Sequence, residues 1–160
     1  MNRLFLLTGS NLGDSKNHLN NALGYISVEI GKITNVSDIY CSEAWGYKSS
    51  GKYYNQCIEI ESKFSPFEAL EKILKIESKM GRQREGIGYS DREIDIDILF
   101  FNSEILNDSR LTLPHPRFHL RKFALIPMNE IAGDFIHPVL GRTIFELLSL
   151  CGDETVVNRA

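Results

Sequence analysis

A chain of 160 residues with 42% hydrophobic and 24% charged side chains has the composition of an ordinary globular protein. At this length folding buries roughly two-thirds of the surface the unfolded chain exposes, so no disulfide or metal staple is required. Eighteen Lys and Arg against 21 Asp and Glu leave a formal net charge of -3, which argues against a general binder of nucleic acid or of anionic membranes.

No apolar run reaches the ~20 residues of a membrane span, and residues 1–7 are too short for a signal peptide. Cys41, Cys57 and Cys151 show no Cys-x-x-Cys spacing, so neither a disulfide framework nor a zinc site is indicated. The expectation is a cytoplasmic protein, a single domain over residues 1–160, with reduced thiols.

Residues 3–8 form a short apolar run that ends in the polar turn Gly9-Ser10-Asn11-Leu12-Gly13-Asp14, a strand running into a helix start with Asp14 as N-cap. Leu19, Ala22, Leu23 and Ile26 recur at helical spacing, which predicts a helix from residue 15 to about 30, stopped by Gly31. Residues 33–44 and 54–64 are rich in β-branched and aromatic side chains, and predict two strands joined by a mobile loop. Ser65-Pro66-Phe67-Glu68 combines an N-cap serine, a proline at the first helical position and a capping-box glutamate, and opens a second helix to about Met80, closed by Gly81. Ile94 to Phe101 alternates as a strand.

The order β-α-β-β-α-β predicts an α+β, ferredoxin-like core, an antiparallel sheet with two helices on one face. A C-terminal extension of short elements follows, with helices near residues 123–131 and 143–150 in a proline-interrupted tail.

The chemistry gathers around Ile94-Asp95-Ile96-Asp97-Ile98-Leu99-Phe100-Phe101. Ile94, Ile96, Ile98 and Phe100 should line one face, with Asp95 and Asp97 on the other, their Cβ atoms ~6 to 7 Å apart. Two carboxylates so placed can hold hard cations such as Mg²⁺, including a pair of ions. An Asp-x-Asp strand is more often simply a wet outer face, but here Leu99 and Phe101 continue on the carboxylate side. The basic residues are segregated: six of nine arginines fall between positions 82 and 121, while eight of nine lysines precede position 80. Arginine's planar fork suits bidentate phosphate binding, so an anion held by arginine and metal together is one reading, and chance clustering with local acids the other. Glu77 falls within the apolar stripe of the second helix, where a carboxylate must be paired with an arginine or meet a ligand. His115 and His119 are four apart, but Pro114 and Pro116 exclude a regular helix around His115, and a zinc pair is rejected. Residues 9–14 fit neither the Walker nor the dinucleotide-binding fingerprint.

Taken together, Gly9-Ser10-Asn11-Leu12-Gly13, Tyr53-Tyr54-Asn55, Gly81-Arg82-Gln83-Arg84, the segment from Arg92 to Leu99, and Leu113-Pro114-His115-Pro116-Arg117 resemble the 6-hydroxymethyl-7,8-dihydropterin pyrophosphokinase family of folate biosynthesis over nearly the whole chain. The resemblance implies transfer of pyrophosphate from ATP to the pterin hydroxymethyl group, with release of AMP. It implies that Asp95 and Asp97 are catalytic and ligate two Mg²⁺ ions, and that Arg82 and Arg92 act near the transferred group. Glu77, Arg84, Tyr89, Arg92, Ile98, Arg110, Thr112, His115 and Arg121 would contact ATP. Tyr53 and Phe123 would stack the pterin, with Ser42, Glu43, Trp45, Asn55 and Tyr89 around it. No nucleic acid and no membrane are expected as partners, and a monomer is.

The chain departs from the family at Gly88-Tyr89-Ser90-Asp91, where Trp-Gly-Pro is usual, at Glu43 in place of a proline, and at Pro116 in place of an aromatic residue. Two rivals remain: another Mg²⁺-dependent phosphotransferase, which would release ADP or free phosphate, and a ferredoxin-like nucleic-acid-binding module, which would need a basic face and exposed strand aromatics.

Overall fold

The computed structural model describes residues 1–43, 52–81 and 94–160. Its elements in chain order are β1 (Asn2–Ser10), α1 (Ser15–Glu29), β2 (Lys32–Val36), β3 (Tyr40–Glu43), β4 (Lys52–Ser62), α2 (Pro66–Lys79), β5 (Asp95–Phe101), β6 (Leu106–Asn107), β7 (Thr112–Leu113), α3 (Lys122–Ala132), α4 (Ile144–Leu150) and β8 (Val157–Arg159).

The local signals explain both long helices. Asp14 accepts from the Asn17 amide at 3.3 Å, and Ser65 and Glu68 form the reciprocal capping box, with Pro66 at the first position of α2. Gly31 does follow α1, but its role is a close approach rather than a left-handed turn. A Cβ there would lie 2.1 Å from the Glu61 carbonyl oxygen of β4.

The strands form an antiparallel sheet in the order β5-β1-β4-β3-β8, with β2 also paired to β4. That order is compatible with the split β-α-β arrangement. The single strand expected over residues 33–44 is broken into β2 and β3, because the Ser37 hydroxyl accepts the Cys57 amide at 2.9 Å where the ladder would otherwise continue.

Both faces of the sheet are covered. Leu4, Leu6, Ile58, Ile60, Ile96 and Ile98 pack under α1 and α2. Phe5, Leu7, Cys57, Leu99 and Phe100 pack under α3 and α4 through Leu125, Met128, Ile144 and Leu147. The tail is therefore a third layer and not an irregular appendage: it buries the face that a two-layer sheet would leave wet.

A bulge corrects the expected alternation of β5. Leu6 pairs with Ile98 but Phe5 with Phe100, so Leu99 is the extra residue. Beyond it Phe100 joins the α3/α4 face and Phe101 the α1/α2 face. One inserted residue exchanges the faces of everything that follows. The Leu99 carbonyl accepts the His115 amide at 3.0 Å, which ties the segment after β7 to the sheet.

Candidate active site

The site residues lie in one row across the sheet. Gly9 of β1 pairs with Asp95 of β5 on one side and with Asn55 of β4 on the other, and Leu7 pairs likewise with Asp97 and Cys57. Directly paired residues share a face, so Asp95, Asp97 and Asn55 all open toward the α3 side. Two strand spacings separate Asp95 from Asn55, ~10 Å.

Gly9 is glycine for a packing reason. A Cβ there would lie 2.9 Å from Asn55 Nδ2 and 3.0 Å from Tyr53 Cε1. Its bare backbone lets the amide and the phenol ring lie over β1.

On the β5 side, Asp95 and Asp97 are half-buried. Glu77 is 2% exposed, and its Oε2 accepts the Ile96 amide at 2.9 Å, so the carboxylate in the stripe of α2 is bonded to the strand that carries both aspartates. Beside this edge lies a cleft of about 260 Å³ lined by Ile96, Asp97, Ile98, Arg110, Thr112, His115 and Pro116 among others. The structure thus brings Asp97, Ile98, Arg110, Thr112 and His115 to one cleft. Arg110 bonds Asp108 at 3.4 Å and its guanidinium lies 4.2 Å from the centre of the Phe67 ring. His115 is held neutral: burial, helped by the Arg121 and Arg117 cations and opposed by Asp95, pushes its pKa down to about 4. Its Nδ1 accepts the Arg117 amide at 3.2 Å, so Nε2 carries the ring proton and is available as a donor.

On the β4 side, Ser42 of β3 pairs with Tyr53 and Glu43 with Lys52; Ser42 is buried and Glu43 exposed. The Tyr53 and Phe123 rings are 6.5 Å apart at 44°. Two van der Waals gaps come to ~7 to 8 Å, so a planar ring enters between them after a small opening and a rotation toward parallel. Asn55 is 3% exposed; its Nδ2 donates to the Thr8 carbonyl at 3.2 Å and its buried Oδ1 has no hydrogen-bond partner. A buried amide oxygen left over in this way is an acceptor for a ligand N–H.

Arg121 immediately precedes α3, with its guanidinium 5.5 Å from the centre of the Phe123 ring. Trp45, Arg82, Arg84, Tyr89 and Arg92 lie outside the described residues; of the two segments expected to move on ligand binding, 46–52 and 82–91, all but Lys52, the first residue of β4, lie outside them as well. Sequence reasoning missed Thr8, whose carbonyl orients Asn55, and the structural part of Gly9; Gly-Ser-Asn after a strand was the available signal.

The donor set suits Mg²⁺. Among the described residues no three His, Cys, Asp or Glu side chains are grouped to hold a metal. Mg²⁺ needs no such cage, since it binds through one or two hard carboxylates, with water and substrate phosphates completing the shell.

A sheet end with paired carboxylates at its edge and a ring-sized slot over its inner strands suits a nucleotide-dependent transferase of the α+β class. The profile of 7,8-dihydro-6-hydroxymethylpterin-pyrophosphokinase matches residues 5–133. Among curated relatives, the chain is 37% identical to the 2-amino-4-hydroxy-6-hydroxymethyldihydropteridine pyrophosphokinase of Bacillus subtilis, over 81% of this chain and 78% of that one. It is 34% identical to the protein of the same name from Aquifex aeolicus, over 91% and 90%. The chain belongs to the 7,8-dihydro-6-hydroxymethylpterin-pyrophosphokinase family.

The fold is also that of a solved HPPK-DHPS from Plasmodium falciparum with pteroate, at a TM-score of 0.79 and 18% identity, covering 93% of this chain and 44% of that one. A second HPPK-DHPS structure, in complex with substrates, gives a TM-score of 0.76 at 16% identity. The chain spans less than half the length of these solved chains. No helix among the described residues is long and apolar enough to cross a membrane.

Proposed function

We infer that the protein is an ATP-dependent pterin pyrophosphokinase of folate biosynthesis, acting as one catalytic unit over residues 1–160, as a monomer, in the cytoplasm. The pterin hydroxymethyl oxygen attacks the β-phosphorus of ATP. The bond from that phosphorus to the bridging oxygen of the α-phosphate breaks, AMP leaves with that oxygen, and the hydroxyl proton passes to solvent. The observation that carries this reading is the Asp95, Gly9, Asn55 row, which sets a carboxylate edge for phosphates ~10 Å from a slot for a flat, N–H-rich ring.

Asp95 and Asp97 hold the metal, two Mg²⁺ ions in this reading. Bound there, Mg²⁺ supplies charge neutralisation across the phosphate chain and orients it for in-line attack. Arg110, Thr112, His115 and Arg121 bind the nucleotide, His115 as a neutral donor, with Ile98 and Glu77 beside it. Glu77 also fixes the strand under both aspartates through the Ile96 amide. Arg82 and Arg92 stabilise charge on the transferred group, Arg84 meets the nucleotide, and Tyr89 closes over both substrates. Tyr53 and Phe123 clamp the pterin ring, Asn55 Oδ1 accepts one of its N–H groups, and Ser42, Glu43 and Trp45 border its edge. Phosphoryl transfer asks mainly for positioning and electrostatic stabilisation, which these groups supply without a dedicated general base.

The test is direct. Protein, ATP, Mg²⁺ and the reduced hydroxymethyl pterin are mixed and the nucleotide product identified. AMP formed only with the pterin present is expected; ADP, or turnover indifferent to the pterin, overturns the assignment.

A further inference from the structure

Five of the eight lysines that the sequence segregates from the arginines line one cleft of the fold. We propose that this cleft is a second anion site, which takes a linear oligophosphate, free or carried by a nucleotide.

The cleft has a volume of about 610 Å³ and is lined by Lys32, Lys63, Lys72, Lys75 and Lys79, with Glu29 and Glu61 as its carboxylates. Its floor includes Ser62, which pairs with Asn2 at the start of β1. Gly9, in the site row, is seven residues further along the same strand, ~23 Å away at ~3.3 Å per residue. The cleft is therefore separate from the candidate active site.

Three observations point to an anion. The cleft carries excess positive charge in a chain whose formal net charge is -3. Lys79 is paired with Glu29, whereas among the described residues no direct ion pair involves Lys32, Lys63, Lys72 or Lys75, Lys72 having only the longer-range attraction of Glu68 one turn earlier on α2. Two of those ammonium groups converge on one ring: Lys72 Nζ lies 4.6 Å and Lys63 Nζ 5.5 Å from the centre of Phe64. The ring quadrupole attracts each cation while the two cations repel one another, and an anion bound nearby offsets that repulsion.

The arrangement favours a chain of phosphates over a single one. The lysines come from β2, from the segment after β4 and from α2, and they surround one volume. With Lys79 held by Glu29, the other four lysines still come from three separate segments, so phosphates spaced along a chain can meet more of them than a lone tetrahedral ion can. Lysine, a compact point charge with three rotatable donors, binds phosphate oxygens without the fixed fork that arginine requires. An acidic protein surface would instead fit charges spread over a flat face.

The test uses the whole chain, its active site filled by a saturating non-hydrolysable ATP analogue with equimolar Mg²⁺. Inorganic tripolyphosphate is titrated by calorimetry, and amide shifts are followed by NMR. One further site is expected, shifting resonances around Phe64 and weakening severalfold as salt rises from low to physiological, since exposed charges are screened. Lys63→Gln/Lys72→Gln should weaken it at least ~10-fold and leave AMP-forming turnover unchanged. GTP in place of tripolyphosphate separates the sources: equal affinity assigns the site to a free chain, tenfold tighter binding to a nucleotide. No additional binding, binding indifferent to the lysine substitutions, or tighter binding of polyglutamate than of tripolyphosphate overturns the proposal.

Discussion

The two halves of the candidate site sit on the same face of the same sheet and are built in opposite ways. The β5 half lies on an edge strand and is made of charge: Asp95 and Asp97 half-buried, the free Ile96 amide taken by Glu77, and a cleft lined by Arg110 and His115. The β4 half lies on an inner strand and is made of shape: Asn55 almost fully buried, and Tyr53 and Phe123 at 6.5 Å, close to the spacing of a ring sandwich. The difference follows from solvation. Carboxylates meant for a hydrated cation and a polyanion cannot be sealed inside without a large desolvation cost, so they belong at an edge. A flat heterocycle is read by stacking and by a few buried hydrogen bonds, which only an enclosed inner strand provides.

The contrast is testable by substitutions that should damage one half and spare the other. Asp97→Ala carries the largest expected effect. Groups that neutralise developing charge in phosphoryl transfer are worth ~10³ to 10⁵ in rate, so kcat should fall by at least ~10³ with the thermal midpoint unchanged or raised. Loss of the fold, or near-normal turnover, would show that the carboxylate is held for packing. Asn55→Ala should act on the other half, raising the KM for pterin ~10- to 100-fold, the factor for removing a buried hydrogen-bonding group worth ~1 to 3 kcal/mol. The KM for ATP should stay within twofold; an equal rise in both would merge the two halves into one. Gly9→Ala, whose new methyl presses on Asn55 and Tyr53, should produce the same split at ~10-fold, since a packing shift is partly absorbed by side-chain movement.

How much of this was visible in the residues depended on the range of the interaction. Ser65 with Glu68, and Asp14 with Asn17, are contacts across three residues, and the caps form as expected. Asp95 and Asp97 on one face follow from the two-residue strand period alone. The Leu99 bulge does not, because it exists only against the register of β1, and so Phe100 and Phe101 exchange faces. Gly31 resembles a helix stop in sequence; only the position of β4 reveals that the Glu61 carbonyl would strike a side chain there. The two helices expected in the tail, near 123–131 and 143–150, form as α3 and α4; the largest gap was how they pack. Nothing in the proline-interrupted stretch indicated that Pro127 would be buried within α3, that α3 would carry Phe123 to the ring slot, or that α3 and α4 together would cover the second face of the sheet. Glu77 was legible as anomalous but not as the partner of Ile96, since that bond joins elements nineteen residues apart.

The smallest expected effect concerns protons, and it sharpens the charged half. His115 lies among Arg117, Arg121 and Asp95, and burial together with the two cations outweighs the aspartate and holds its pKa at about 4. His137, buried beneath the C-terminal layer with His119 beside it, is lowered to about 4 as well. An unfolded histidine titrates near 6.5, so between pH 4 and 6.5 the unfolded chain binds more protons than the folded one at both positions. Stability should therefore fall as pH drops from 6.5 toward 4 and be insensitive to these two groups above 7. An NMR titration of the His115 ring should give a midpoint near 4, with Nε2 protonated throughout the neutral range. A midpoint near 6.5 would mean that below that pH the imidazole is a cation, and the β5 half would then owe part of its anion affinity to a group that switches off toward neutral pH.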